Sequence, residues 1–134
     1  MRDAAELCRG LLLKARSDRI AMEASLAAGA LDAACFHAQQ MSEKCLKAFL
    51  FHRGVSFPYT HNLTKLVEIC AGTDQTFRSL LPTVAPLTPY AVELRYDDSF
   101  WPSRQVAEDA RSSALSVLRF VVERLPADIS KSIE

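Results

Sequence analysis

The sequence predicts an all-α fold, a five-helix up-and-down bundle with three long helices and two short or broken ones. Three observations predict it. Apolar residues recur at three- and four-residue steps, the spacing of one helical face. No stretch alternates apolar and polar residues as a half-buried strand would. Gly29, Gly54 and Gly72 stand between the periodic runs, where helices end.

The first helix opens at Asp3, with Glu6 three positions on, the signature of a capping box. Behind it Ala4, Leu7, Cys8, Leu11, Ala15, Met22 and Leu26 share a face, and Gly29 ends the run. A second run follows at once through Leu31, Cys35, Ala38, Met41, Cys45, Ala48 and Phe49, and stops at Gly54. At 1.5 Å per residue each helix is about 35 Å long. With almost no linker between them, they must fold back as an antiparallel hairpin. His52 closes the second helix beside Arg53, where the helix dipole favours a basic residue.

Val55 to Thr60 contains Pro58 and reads as a loop. The third helix carries Leu63, Leu66, Val67 and Cys70 and closes at Gly72. Thr73 or Asp74 caps a segment with Phe77, Leu80, Leu81 and Val84. Pro82, Pro86 and Pro89 predict a broken helix through about Leu94, because proline removes a donor and clashes with the preceding turn. Asp97 to Pro102 is a loop. The last helix starts after Ser103, with Val106, Ala110, Ala114, Val117, Val121 and Leu125 as its apolar face and Pro126 at its end. Residues 1–126 form the bundle, and 127–134 form a tail expected to fray.

The 134 residues suit one domain, and the formal net charge of +0 excludes a strongly basic, duplex-DNA-binding protein. No apolar run approaches the ~20 residues of a membrane span. The first residues, with Arg2, Asp3 and Glu6, do not read as a signal peptide. A cytoplasmic location is the expectation. Cys8, Cys35, Cys45 and Cys70 lack metal-knuckle spacing and sit among apolar neighbours, so buried free thiols are expected. No metal and no cofactor are expected.

Three features carry candidate chemistry. His37, Gln40, Lys44 and Lys47 fall on one side of the second helix, and Glu43 beside them can pair with Lys47 at i, i+4. Two ammonium groups with an amide and an imidazole suit a phosphate or nucleotide; the alternative is a solvated face with one ion pair. Thr60-His61-Asn62 precedes the third helix, whose free amides suit an anion, and His61 can act as an acid or base. The alternative is that Thr60 or Asn62 caps the helix. Arg95, followed by Tyr96, suits bidentate phosphate binding and base stacking; the alternative is an ion pair from Arg95 to Asp97, Asp98 or Glu93, with the aromatics plugging the bundle end.

Ala34-Cys35-Phe36-His37-Ala38-Gln39-Gln40 and Glu43-Lys44-Cys45-Leu46-Lys47-Ala48-Phe49-Leu50 resemble the second-helix signature of the HEPN (higher eukaryotes and prokaryotes nucleotide-binding) family. His61-Asn62-Leu63 resembles its His-Asp/Asn-Leu segment, and Leu87 to Tyr96 resembles its later Arg-Tyr segment. The resemblance covers nearly the whole chain, in the family's order. It implies a five-helix bundle, a homodimer, and an association with nucleotides or RNA. It also implies a minimal nucleotidyltransferase as partner, in a toxin–antitoxin-like two-component system.

Some members of that family are metal-independent ribonucleases that use Arg, four to six residues, then His, paired across a dimer. Here no histidine follows Arg95. Cleaving the RNA backbone needs a base for the 2′-hydroxyl and a cation for the developing charge. The reading is therefore a nucleotide- or RNA-associated module that is non-catalytic or weakly active, with His37, Gln40, Lys44, Lys47 and Tyr96 as nucleotide-binding residues. The alternatives are a ribonuclease using Arg95 with His61 across a dimer, and a helical protein–protein interaction subunit.

Overall fold

Local chemistry sets the ends of the long helices. The computed structural model describes residues 2–133, in the order α1 (Ala4–Ala28), α2 (Leu31–Arg53), α3 (Leu63–Ala71), α4 (Leu81–Val84), α5 (Arg104–Val122) and α6 (Ala127–Ser130). Short 3-10 turns cover Gln75–Leu80, Thr88–Tyr90 and Lys131–Ile133. No strand occurs among the described residues.

The α1 capping box forms: the Glu6 amide donates to Asp3 Oδ1 at 2.8 Å, and the Asp3 amide donates to Glu6 Oε2 at 3.3 Å. α1 and α2 end at Gly29 and Gly54, with φ of 81° and 66°. A Cβ at either would meet nothing within 4 Å. The left-handed backbone, rather than space, therefore calls for glycine. Asn62 and Ser103 cap α3 and α5 through side-chain oxygens. Pro82 and Pro89 lie in the first turns of their short helices, where a missing N–H costs nothing. The run through Leu94 is broken as the prolines require.

Two residues, Gly29 and Ala30, link α1 to α2, so the two rods run antiparallel. α5 packs along another side of α2, which makes α2 the central helix. Leu12, Met22, Met41, Leu46 and Phe49 are fully buried, each worth about 1.5–3 kcal/mol of burial. Phe49 packs on Phe77 at 4.4 Å, and Phe77 meets Phe120 edge-on at 4.9 Å. This ties the 3-10 turn at Gln75–Leu80 into the core between α2 and α5.

Three expectations change. On α1 the fully buried residue is Leu12, while Leu11 is half-buried. On α5 it is Ala107 that is buried, and Val106 is 39% exposed, because the buried row runs through residues 107, 110, 114, 117 and 121. The segment after Pro126 does not fray. Ile129 and Ile133, one helical turn apart, are 4% and 5% exposed, and Arg9 of α1 reaches Asp128 at 3.4 Å.

All four cysteines are free and buried. Burial pushes the Cys8 and Cys35 thiols up to about 11 and those of Cys45 and Cys70 up to about 12. No helix among the described residues is long and apolar enough to cross a membrane.

Candidate functional site

The 37–40–44–47 stripe of α2 faces a carboxylate on each side. Across the hairpin, Asp18 of α1 stands in the buried row between Ala15 and Met22 and is 9% exposed. Its Oδ1 lies 2.9 Å from His37 Nδ1, and its Oδ2 accepts from Lys44 Nζ at 2.6 Å. Lys44 also donates to Gln40 Oε1 at 3.2 Å, and Gln40 donates to Gln39 Oε1 at 2.7 Å. Gln39, fully buried, donates to Glu43 Oε1 at 3.2 Å and to the His61 carbonyl at 3.0 Å.

Glu43 closes this ladder. It is 5% exposed, and it accepts from Lys47 Nζ at 3.0 Å and from His61 Nδ1 at 2.8 Å. A carboxylate only accepts, so His61 carries a proton on Nδ1. Its Nε2, in the neutral ring, then accepts from the Tyr59 hydroxyl at 3.2 Å. Burial by itself would raise the Glu43 carboxyl. The hydrogen bonds from His61, Lys47 and Gln39 together outweigh it and hold the group below the ordinary glutamate value. Among the described residues no buried side-chain nitrogen or oxygen lacks a partner.

The structure thus brings His37, Gln40, Lys44, Lys47 and His61 into one network. The stripe is not a solvated face, because Asp18 and Glu43 draw it into the interior. The predicted Glu43–Lys47 pair is present. At the start of α3 the capping alternative holds. Asn62 Oδ1 takes the Lys65 amide at 3.1 Å, Thr88 Oγ1 takes the Leu63 amide at 3.2 Å, and Thr60 Oγ1 takes the Asn62 amide at 3.0 Å. The amides of Asn62, Leu63 and Lys65 are thereby occupied by the protein itself.

Arg95 and Tyr96 stand beside the ladder rather than in it. The Arg95 guanidinium lies over the Phe36 ring at 3.5 Å and near Tyr96 at 5.7 Å. Phe36 meets His37 edge-on at 5.1 Å, so the arginine sits on the residue adjoining the ladder's first member. The alternative, an ion pair to Glu93, Asp97 or Asp98, does not form; among the described residues Arg95 makes no salt bridge. Asp97 instead takes the Ser99 amide and hydroxyl.

Beneath Arg95 opens a cleft of about 280 Å³, lined by Asp32, Ala33, Phe36, Tyr90, Leu94, Arg95, Tyr96 and Phe100. Tyr90 and Phe100 stack at 5.6 Å and form an aromatic wall. Tyr96 is 83% exposed and Trp101 75%. No hydrogen bond, ion pair or ring contact joins Arg95 to His61 among the described residues.

Sequence reasoning missed Asp18, Gln39 and Asp32. Asp18 had a legible signal, since it sits three residues after Ala15 and four before Met22, on the apolar row of α1.

These features define an all-helical module in which a buried polar ladder braces the central helix beside an arginine–aromatic cleft. Residues 8–125 match the HEPN domain, and the chain belongs to that family as a nucleotide- or RNA-associated HEPN module. It is similar to the crystal structure of TT1696 from Thermus thermophilus, with 29% identity and a TM-score of 0.78 over 88% of this chain and 98% of that one. A comparison with curated proteins gives no match.

Proposed function

We propose that this HEPN module binds a nucleotide, or one nucleotide of a single-stranded RNA, in the Arg95 cleft without cleaving it. The observation that carries this reading is a contrast between cations. Lys44 and Lys47 are held by Asp18 and Glu43, whereas Arg95 has a ring beneath it and forms no salt bridge among the described residues. A planar guanidinium fork matches a phosphate, and Tyr96, Tyr90 and Phe100 offer faces on which a base stacks. The ladder supports this by locking α1, α2 and the 55–62 loop, so that Phe36 and the cleft stay fixed.

Two facts support a non-catalytic role. The ring nitrogens of His61 are engaged by Glu43 and Tyr59, and Arg95 has no contact with His61 within the chain. The ribonuclease alternative needs both groups on one phosphate, which only a second copy could supply. The module acts as a homodimer and as partner of a minimal nucleotidyltransferase in a toxin–antitoxin-like system. Leu13 and Ile20, seven residues apart on α1 and 51% and 61% exposed, give such an assembly an apolar strip to bury.

Thermal denaturation with mononucleotides tests the binding. Saturation at a hundred times Kd stabilises by about 2.7 kcal/mol, and Arg95→Ala removes the effect. Single-stranded RNA incubated with the protein stays intact. No thermal response to any nucleotide would leave the interaction-subunit alternative, and cutting that disappears in both Arg95→Ala and His61→Ala would establish the ribonuclease.

A further inference from the structure

The cleft holds two opposite charges that the fold keeps apart. Arg95 and Asp32 both line it, yet among the described residues neither forms a salt bridge. Elsewhere the molecule pairs such groups: Arg9 with Asp128, Arg111 with Glu23, Arg124 with Asp74. The rings of Phe36, Tyr90 and Phe100 line the same cleft, with Phe36 directly under the Arg95 guanidinium. A ligand that fits must therefore present an anion to Arg95, a flat body to the rings, and hydrogen-bond donors to Asp32.

We propose that the cleft selects guanine among the nucleobases, with Asp32 reading the base and Arg95 taking the phosphate. The proposal rests on the nucleotide-binding reading above and adds a specificity to it. A carboxylate has two acceptor oxygens and no donor. Guanine carries two adjacent donors on its pairing edge, the ring N1–H and the exocyclic amino group, and meets both oxygens at once. Adenine and cytosine set their amino group beside a ring-nitrogen acceptor, and uracil sets its single N–H between two carbonyls. Each of these turns an acceptor toward the carboxylate and leaves a polar atom unpaired. Stacking cannot make the distinction, because every base has a π-face. The volume, just under the ~300 Å³ at which small-molecule sites begin, suits one ring system, so a single base is read.

Calorimetric titration of the intact protein with GMP, AMP, CMP and UMP tests this. GMP is expected to bind about tenfold or more tightly than the other three, the scale of one bidentate base contact. Asp32→Asn brings GMP to the level of the others and leaves AMP no weaker. Arg95→Ala weakens all four alike. Both residues are exposed, and an unchanged melting temperature confirms that the variants fold. If the four nucleotides bind equally, or if Asp32→Asn keeps the GMP preference, guanine selection is overturned while nucleotide binding stands. If none binds, the nucleotide reading falls and takes the proposal with it.

Discussion

Replacing Glu43 by Gln tests whether the ladder is a structural brace. The side chain keeps its length and loses its charge. Lys47, whose side chain is 13% exposed, and His61, at 35%, then face an amide where a carboxylate stood. Removing one partner of a fully buried ion pair costs about 3–5 kcal/mol. The partial exposure of His61 and the oxygen that Gln retains bring the expected loss to about 2–3 kcal/mol at pH 7. For a chain of this size that lowers Tm by roughly 10 °C. The pH dependence gives the sharper test. The folded Glu43 carboxyl lies below its ordinary value of 4.5. Its stabilisation is therefore fully present above the unfolded value and is lost as pH falls through the folded one. The stability gap between native protein and Glu43→Gln should shrink below about pH 4.5. Urea unfolding curves at pH 7, 5 and 4 measure it. A gap under 0.5 kcal/mol at pH 7 (an ordinary surface substitution), or one that does not narrow in acid, would refute the brace.

Three further outcomes follow from the packing. Ile129→Ala should cost about 2–4 kcal/mol, read by thermal denaturation; a neutral result would mean that the last turn does not dock on α1. Arg124→Ala severs the link from the end of α5 to Asp74 and Thr76 and the stack on Phe120 at 3.4 Å; a loss of about 1–2 kcal/mol is expected for these partly buried groups. At pH 8 a thiol raised to about 11 is ionised to only about one part in a thousand. The native protein should therefore leave an aromatic disulfide reagent nearly unreacted, with four thiols appearing on unfolding; one fast stoichiometric thiol in the native state would contradict the burial.

Most of the fold was legible because helix ends are local events. The Asp3–Glu6 box, Gly29, Gly54, Asn62 and Ser103 each act on amides or carbonyls within four residues, and all appear where the spacing placed them. What the spacing leaves loose is rotation about the helix axis. On α5 the predicted row is buried at Ala110, Ala114, Val117, Val121 and Leu125, and only its first position differs, Ala107 being buried instead of Val106. The tail was misread. Ile129 and Ile133 share a face, but a single turn is too short to declare itself without the α1 surface that receives it.

The site separates along the same line. That His37, Gln40, Lys44 and Lys47 share a side follows from 3.6 residues per turn. Whether the side is wet depends on what crosses it. Asp18 is nineteen residues from His37 and twenty-six from Lys44 in the chain, and only the hairpin makes them neighbours. Once Asp18 and Glu43 are placed, His37, Lys44 and Lys47, read as candidate phosphate ligands, and His61, read as a candidate acid or base, are already satisfied. The electrostatic weight of the site then moves to Arg95, whose neighbour Phe36 lies fifty-nine positions back and one residue before His37. The acids that follow Arg95 in the chain were its alternative partners. Asp97 is turned instead toward Ser99 by a tight local turn, and that turn is what leaves the guanidinium free above the cleft.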